Sequence, residues 1–285
     1  MVKKSAKSTH IGQVNRLKVV KEVEFGLYLD GLQLGEILLP SRYVTAEAQV
    51  GEELDVFVYQ DSQDRLVATT ETPMASVGEV AFLKVNQVNR TGAFLDWGMP
   101  KDLLVPFAEQ RVPMEEGRSY CVYVYVDNSV RIAASSKLSL FLSETNDDFK
   151  TGQEVRLMVA SRSDLGYTVV INGTHLGLIH NSDLLQPLRM GQKMKGYIKG
   201  IRPDLKINVT LQKLGKAGRQ DLVGQILAFL AENKGVSTLV DKSSPEDIFA
   251  QYRVSKAAYK KALSQLYKER KIIIEPNQIR LVSED

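Results

Sequence analysis

Thr91-Gly92-Ala93-Phe94-Leu95-Asp96 reads as a strand entered through a glycine. Period-2 alternation sends Phe94 to one face and Leu95 to the other. By the same count Trp97, three residues past Phe94, falls on the opposite face, in the core. Val85 and Val88 mark a strand before this one, and Leu103-Leu104-Val105-Pro106-Phe107 mark one after it. A turn at Glu116-Gly117, a strand from Val122 to Val126, and Asp127 with Arg131 four residues on complete the set.

The same order occurs twice more, and a repeat is the first thing to settle in a chain of 285 residues. The first copy has Phe25-Gly26-Leu27-Tyr28-Leu29-Asp30, then Leu38-Leu39-Pro40, Val50-Gly51-Glu52, a strand expected to alternate from Leu54 to Tyr59, and Asp61 with Arg65. The last has Gly166-Tyr167-Thr168-Val169-Val170, Gly177-Leu178-Ile179-His180-Asn181-Ser182-Asp183, Gly191-Gln192, and Lys206 to Thr210. The copies are expected at 10–73, 76–142 and 150–214, with a polar linker at Ser143 to Asp148. A domain this short is marginal alone, so contacts between neighbouring copies are expected.

From about Gly215 the period changes to that of helices. A hinge is expected at Leu214 to Gly218, then a helix over Asp221–Asn233 ended by Lys234-Gly235, and a short strand at Val236 to Val240. Ser244 with Pro245 behind it starts a second helix, and Ser255 caps a third that runs to about Arg270. Pro276-Asn277 turns a hairpin between Lys271–Glu275 and Gln278–Val282. This is the order of a winged helix, expected at 218–283, with Ser255 to Arg270 in the recognition-helix position.

The repeated unit resembles the S1 RNA-binding domain, a five-stranded barrel of the OB class. The fold class expected is multidomain and mainly β: three S1-type OB-fold barrels followed by an α+β winged helix. That combination is similar to the conserved virulence factor B family of bacterial S1-domain proteins. Asp241 to Ile248, Val254-Ser255-Lys256 and Lys260-Lys261-Ala262-Leu263 carry the likeness. It implies RNA binding and post-transcriptional regulation in the bacterial cytoplasm, without catalysis.

The resemblance also implies site residues: two aromatics around the glycine strand, a histidine at the Leu-Val-His position, and an Asp/Arg pair near the last strands. Bases stack on flat groups, and cations neutralise phosphate. The first copy supplies Phe25, Tyr28, Asp61 and Arg65, with Pro40 at the histidine position. The second supplies Phe94, Asp127 and Arg131, with Thr91 and Pro106 in place of the first aromatic and the histidine. The third keeps His180, has Leu165 and Thr168 at the aromatic positions, and is the most basic, through Lys195, Lys199, Arg202 and Lys206. Lys256, Lys260, Lys261 and Lys268 lie on the third C-terminal helix, where Lys256, Lys260, Ser264 and Lys268 recur every four residues along one face. The ordinary reading of that face is solvation; the functional one is contact with duplex nucleic acid or a protein.

Composition narrows the alternatives. Net charge is +3, so any nucleic-acid surface must come from local clustering. The single cysteine, Cys121, cannot form an intramolecular disulfide, and a reducing compartment fits. No apolar run reaches membrane-spanning length, and the basic start, residues 1–9, reads as a disordered arm and not a secretory signal. No cofactor motif, phosphate-binding glycine loop, nucleophile elbow or zinc spacing occurs. Asp96, Asp102 and Glu109 have the spacing of ordinary loop acids. The remaining readings are an adaptor on ribosome or RNA polymerase, and a DNA-binding winged helix.

Overall fold

The computed structural model describes residues 8–45, 48–146, 148–184, 186–212 and 215–282. Met1 to Lys7 of the expected arm, Asp147 of the linker and Leu214 of the hinge lie outside them. The chain forms two compact units, Met1–Leu142 and Ser143–Asp285.

The first unit holds two closed barrels. One is built from β1 (Val14–Val23), β2 (Gly26–Asp30), β3 (Glu36–Pro40), β4 (Glu53–Gln60) and β5 (Leu66–Thr69). The other is built from β6 (Val80–Val88), β7 (Gly92–Asp96), β8 (Leu103–Pro106), β9 (Ser119–Val126) and β10 (Ile132–Ser135). The second unit opens with a third barrel of β11 (Glu154–Arg162), β12 (Gly166–Ile171), β13 (His175–His180), β14 (Lys193–Ile201) and β15 (Ile207–Thr210). In each, the first strand pairs antiparallel with both the second and the fourth, and the third and fifth run parallel.

One strand serves two neighbours because it is bulged. The register slips between Val19 and Lys21, between Val85 and Gln87, and between Val159 and Ser161, the same place in all three barrels. A bulge bends and twists its strand, which carries the first strand round the barrel. Beside each bulge, Gly51, Gly117 and Gly191 donate backbone N–H groups to Val19, Val85 and Val159. Inward residues such as Leu27, Leu29, Ile37 and Val58 fill the first barrel, and Val169, Ile171, Ile179 and Ile198 the third.

The expected alternation from Leu54 to Tyr59 fails at its end. Val56, Phe57, Val58 and Tyr59 are all buried, because the second barrel covers the outer face of β4. Phe57 meets Trp97 edge-on at 5.9 Å, and both share one core with Tyr59, Met99 and Leu103. Trp97 is therefore core, as its parity predicts, but it closes a joint between barrels as well as the second barrel itself. Its indole N–H donates to the Lys101 carbonyl at 2.7 Å. Burial of three aromatics contributes about 1.5–3 kcal/mol each. Thr9, read as part of the arm, is instead buried and exchanges two hydrogen bonds with the Gln33 side chain.

The winged helix comprises α1 (Gly215–Glu232), β16 (Val236–Ser237), α2 (Pro245–Tyr252), α3 (Lys256–Lys268), β17 (Ile272–Ile274) and β18 (Ile279–Leu281), with sheet order β16-β18-β17. The stretch read as a hinge is helical from Gly215. Lys234 and Gly235, both left-handed, end α1, with the Gly235 N–H returning to the Leu230 carbonyl at 2.7 Å. The strand expected over Val236 to Val240 stops at Ser237, because the Ser237 and Ser243 hydroxyls accept the Leu239 and Val240 N–H groups and turn the chain. Ser244 and Ser255 cap α2 and α3 by accepting from Asp247 and Ala258. Ile226 and Leu230 of α1 pack with Tyr259, Leu263 and Leu266 of α3, and the Tyr259 hydroxyl donates to the Leu239 carbonyl at 2.8 Å.

Candidate nucleic-acid interface

The glycine that opens the second strand of each barrel fixes the site. Gly26, Gly92 and Gly166 stand at φ of +150°, +158° and +152°, a region open essentially to glycine alone. A Cβ there would lie 2.2, 2.3 and 2.0 Å from the Leu39, Val105 and Ile179 carbonyl oxygens. The close approach sets Pro40, Pro106 and His180 opposite the three glycines in register. His180 thus occupies the position that the resemblance implies, and the prolines replace it in the other two barrels.

Two residues past each glycine, the chain faces outward. A lateral row then runs across the barrel wall: Tyr28–Leu38–Val67 in the first, Phe94–Leu104–Ala133 in the second, Thr168–Leu178–Asn208 in the third. In the first barrel Phe25 is 56% exposed and Tyr28 half-buried, their rings edge-to-face at 6.4 Å. The Lys21 ammonium lies 5.9 Å from the centre of the Tyr28 ring, within cation–π range. Sequence parity overlooks Lys21, because the bulge at Val20 shifts which residue stands opposite Tyr28.

In the second barrel Phe94 is half-buried and Thr91 exposed. Phe107, 51% exposed, follows directly on Pro106 and supplies an aromatic at the exit of the same strand pair. It was missed because it lies outside the glycine strand. In the third barrel Leu165 is 66% exposed, while Tyr167 points into the core at 3%.

The Asp/Arg pairs prove to be different things. Asp61 accepts the Gln63 and Arg65 backbone N–H groups and, on its other oxygen, both Arg65 Nε (2.9 Å) and Nη2 (2.7 Å). Burial opposes its charge, but these bonds outweigh it and hold the carboxyl below the usual range. Asp127 builds the same turn by accepting from Ser129 and Arg131 N–H. The Arg131 guanidinium does not return to Asp127; it reaches Asp64 of the first barrel at 2.7 Å. Lys101 joins it, on the other Asp64 oxygen at 3.2 Å and on the Asp61 carbonyl at 2.9 Å.

The four candidate cations of the third barrel each carry a carboxylate: Lys195 with Glu154 (2.9 Å), Lys199 with Asp183 (2.7 Å), Lys206 with Glu144 (3.3 Å), and Arg202 with Asp204. The Arg202 hydrogen bond pulls the Asp204 carboxyl down to about 2. These are exposed pairs of small net worth, so a phosphate can displace the acid, but the local field is far weaker than a count of lysines implies.

On α3, Lys260, Lys261 and Lys268 are exposed opposite the buried Tyr259, Ala262, Leu263 and Leu266. Lys256 donates instead to the Lys242 carbonyl at 3.1 Å. Lys261 and Ala257 border a groove of about 670 Å³ whose other bank is Tyr197, Lys199 and Thr210 of the third barrel. Among the described residues no cluster of His, Cys, Asp or Glu fits a metal ion, and no helix is long and apolar enough to cross a membrane.

Closed five-stranded barrels with a glycine-anchored outer row, followed by a winged helix, define a multidomain protein of nucleic-acid-binding type. The family model described as "S1 domain" matches residues 11–71 and 77–137, and that described as "CvfB-like winged helix domain" matches 224–281. The chain is 29% identical to the Bacillus subtilis (strain 168) protein called uncharacterized protein YitL, over 92% of this chain and 90% of that one. It is 27% identical to conserved virulence factor B of Staphylococcus saprophyticus, over 82% and 81%. A crystal structure of a Streptococcus pneumoniae multidomain protein with nucleic acid binding domains aligns at TM-score 0.42 and 24% identity, covering 95% of this chain and 98% of that one. The chain is thus similar, over most of its length, to bacterial proteins named conserved virulence factor B and YitL, and it carries S1 domains and a CvfB-like winged helix domain.

Proposed function

We propose that the protein binds single-stranded RNA without catalysis and acts as a cytoplasmic post-transcriptional regulator. The observation that carries this is the Phe25–Tyr28 pair, held outside the barrel by Gly26 with Lys21 over one ring. Unpaired bases stack on such rings, whereas paired bases inside a duplex present no free faces to them. The relatives named conserved virulence factor B, and the S1 and winged-helix matches, support the same reading. Fluorescence anisotropy of the full chain against single-stranded RNA, single-stranded DNA and duplex DNA of equal length tests it. Tightest binding to the RNA strand is expected. Clear preference for duplex DNA would instead favour the exposed Lys260 and Lys268 face of α3 as the principal site, and no binding to any of the three would leave the adaptor reading.

A further inference from the structure

We propose that the crevice between the first two barrels holds one unstacked pyrimidine base of a single strand; this rests on the single-strand reading above. The crevice measures about 150 Å³ and lies over the outer row of the second barrel, with Phe94, Leu104 and Ala133 along it, Trp97 as a wall, and Gln60 contributed by the first barrel. A cavity of about 150 Å³ lined by apolar groups accommodates one six-membered aromatic ring such as benzene. That fits a pyrimidine and is small for the two fused rings of a purine.

The polar groups at the crevice sort into committed and uncommitted. Both Asp64 oxygens are engaged, by Lys101 and Arg131, so these cations bind the two barrels together and meet a phosphate only in competition with a carboxylate. One Asp127 oxygen holds its turn. Among the described residues the other Asp127 oxygen and the Gln60 carboxamide make no hydrogen bond, and both residues line the crevice. A carboxylate accepts and a carboxamide can donate. The pairing edges of cytosine and uracil each present a donor beside an acceptor, so the two groups complement either base. The site therefore selects for a base and against bare backbone. It exists only where two barrels meet, since the corresponding row of the first barrel ends at Val67 and Tyr59 under the second.

Trp97, the chain's single tryptophan, reports on the crevice directly. The full chain is titrated with hexauridylate and hexaadenylate while Trp97 emission and strand anisotropy are followed. A saturable Trp97 change with hexauridylate, at concentrations where hexaadenylate gives little, is the expected result. Phe94→Ala should weaken hexauridylate binding about 5- to 150-fold, the range for loss of one stacked base. Gln60→Ala, a change at the barrel surface, should reduce the difference between the two strands, with far-ultraviolet circular dichroism unchanged in both variants. Anisotropy showing binding while Trp97 stays silent, equal response to both strands, or wild-type behaviour of both variants overturns the pocket alone. Absence of binding by anisotropy overturns the pocket together with the single-strand reading.

Discussion

Removing both rings of the first barrel, with Phe25→Ala and Tyr28→Ala together, separates base stacking from folding. Phe25 is 56% exposed and Tyr28 faces outward, while the interior at this strand is filled by Leu27 and Leu29 on the opposite face. Truncation therefore leaves the barrel core intact, and each change should cost no more than about 0.5 kcal/mol of stability. Binding should suffer far more. Two stacking platforms at about 1–3 kcal/mol each give a loss of about 2–6 kcal/mol, at least about thirtyfold in affinity. No cation is removed, so a plot of log affinity against log salt should shift down without changing slope. Lys21→Ala makes the contrast: it should flatten the slope by about 0.7 and cost less affinity. Anisotropy over a series of salt concentrations, with thermal melts as the folding control, reads all three variants. Wild-type affinity in the double variant, or a loss that disappears at high salt, would refute the assignment of Phe25 and Tyr28 as base platforms.

Trp97→Ala should destabilise the first unit by about 3–5 kcal/mol, because Trp97 closes both the second barrel and the joint to Phe57; a urea midpoint within error of wild type would show that joint to be slack. Ser255→Ala removes the acceptor of the Ala258 N–H at the start of α3 and should cost the winged helix about 1 kcal/mol, read from its thermal midpoint. Arg202→Ala should bring the Asp204 carboxyl from about 2 back toward about 3.9, followed by side-chain carboxyl resonances. The folded-state value of Asp204 is depressed, so the pair's contribution to stability is present above about 3.9 and fades as pH falls toward about 2. Neutralising Lys195, Lys199 and Lys206 together should flatten the salt slope by less than about 2 units, the sum for three free phosphate contacts, since each is already paired with an acid.

What the sequence discloses follows from which rules are local. Alternation around Gly92 and Gly26 placed Phe94, Tyr28 and Trp97 on their correct faces, and the caps at Ser244 and Ser255 stand where serine before a helix should stand. Bulges and tertiary cover are not local. The slip after Val19 puts Lys21 across from Tyr28, a pairing no parity count yields. The run Val56-Phe57-Val58-Tyr59 is apolar at every position, the mark of a strand buried on both faces, yet only the second barrel explains why. Partner acids such as Glu144 and Glu154 come from other strands or the linker, so a count of the third barrel's lysines could not register that these candidates are paired.

The three outer rows then differ for a physical reason that the shared scaffold makes plain. The inward positions and the glycine approach are constrained by packing, so they recur. The outward row answers only to what covers it. In the first barrel the row's far end is buried by a neighbour and its near end, Phe25 and Tyr28, stands free. In the second barrel the row lies at the mouth of a crevice that the first barrel helps to wall. In the third barrel it has lost its ring: Tyr167, one residue nearer the glycine than Thr168, turns inward, where it fills the barrel that Ala93 leaves to other side chains in the second. With a net charge of only +3 and the third barrel's candidate cations paired, long-range attraction to phosphate is a weak source of affinity. On the proposed single-strand reading, contacts to the bases carry most of it, from the two barrels whose aromatics face out.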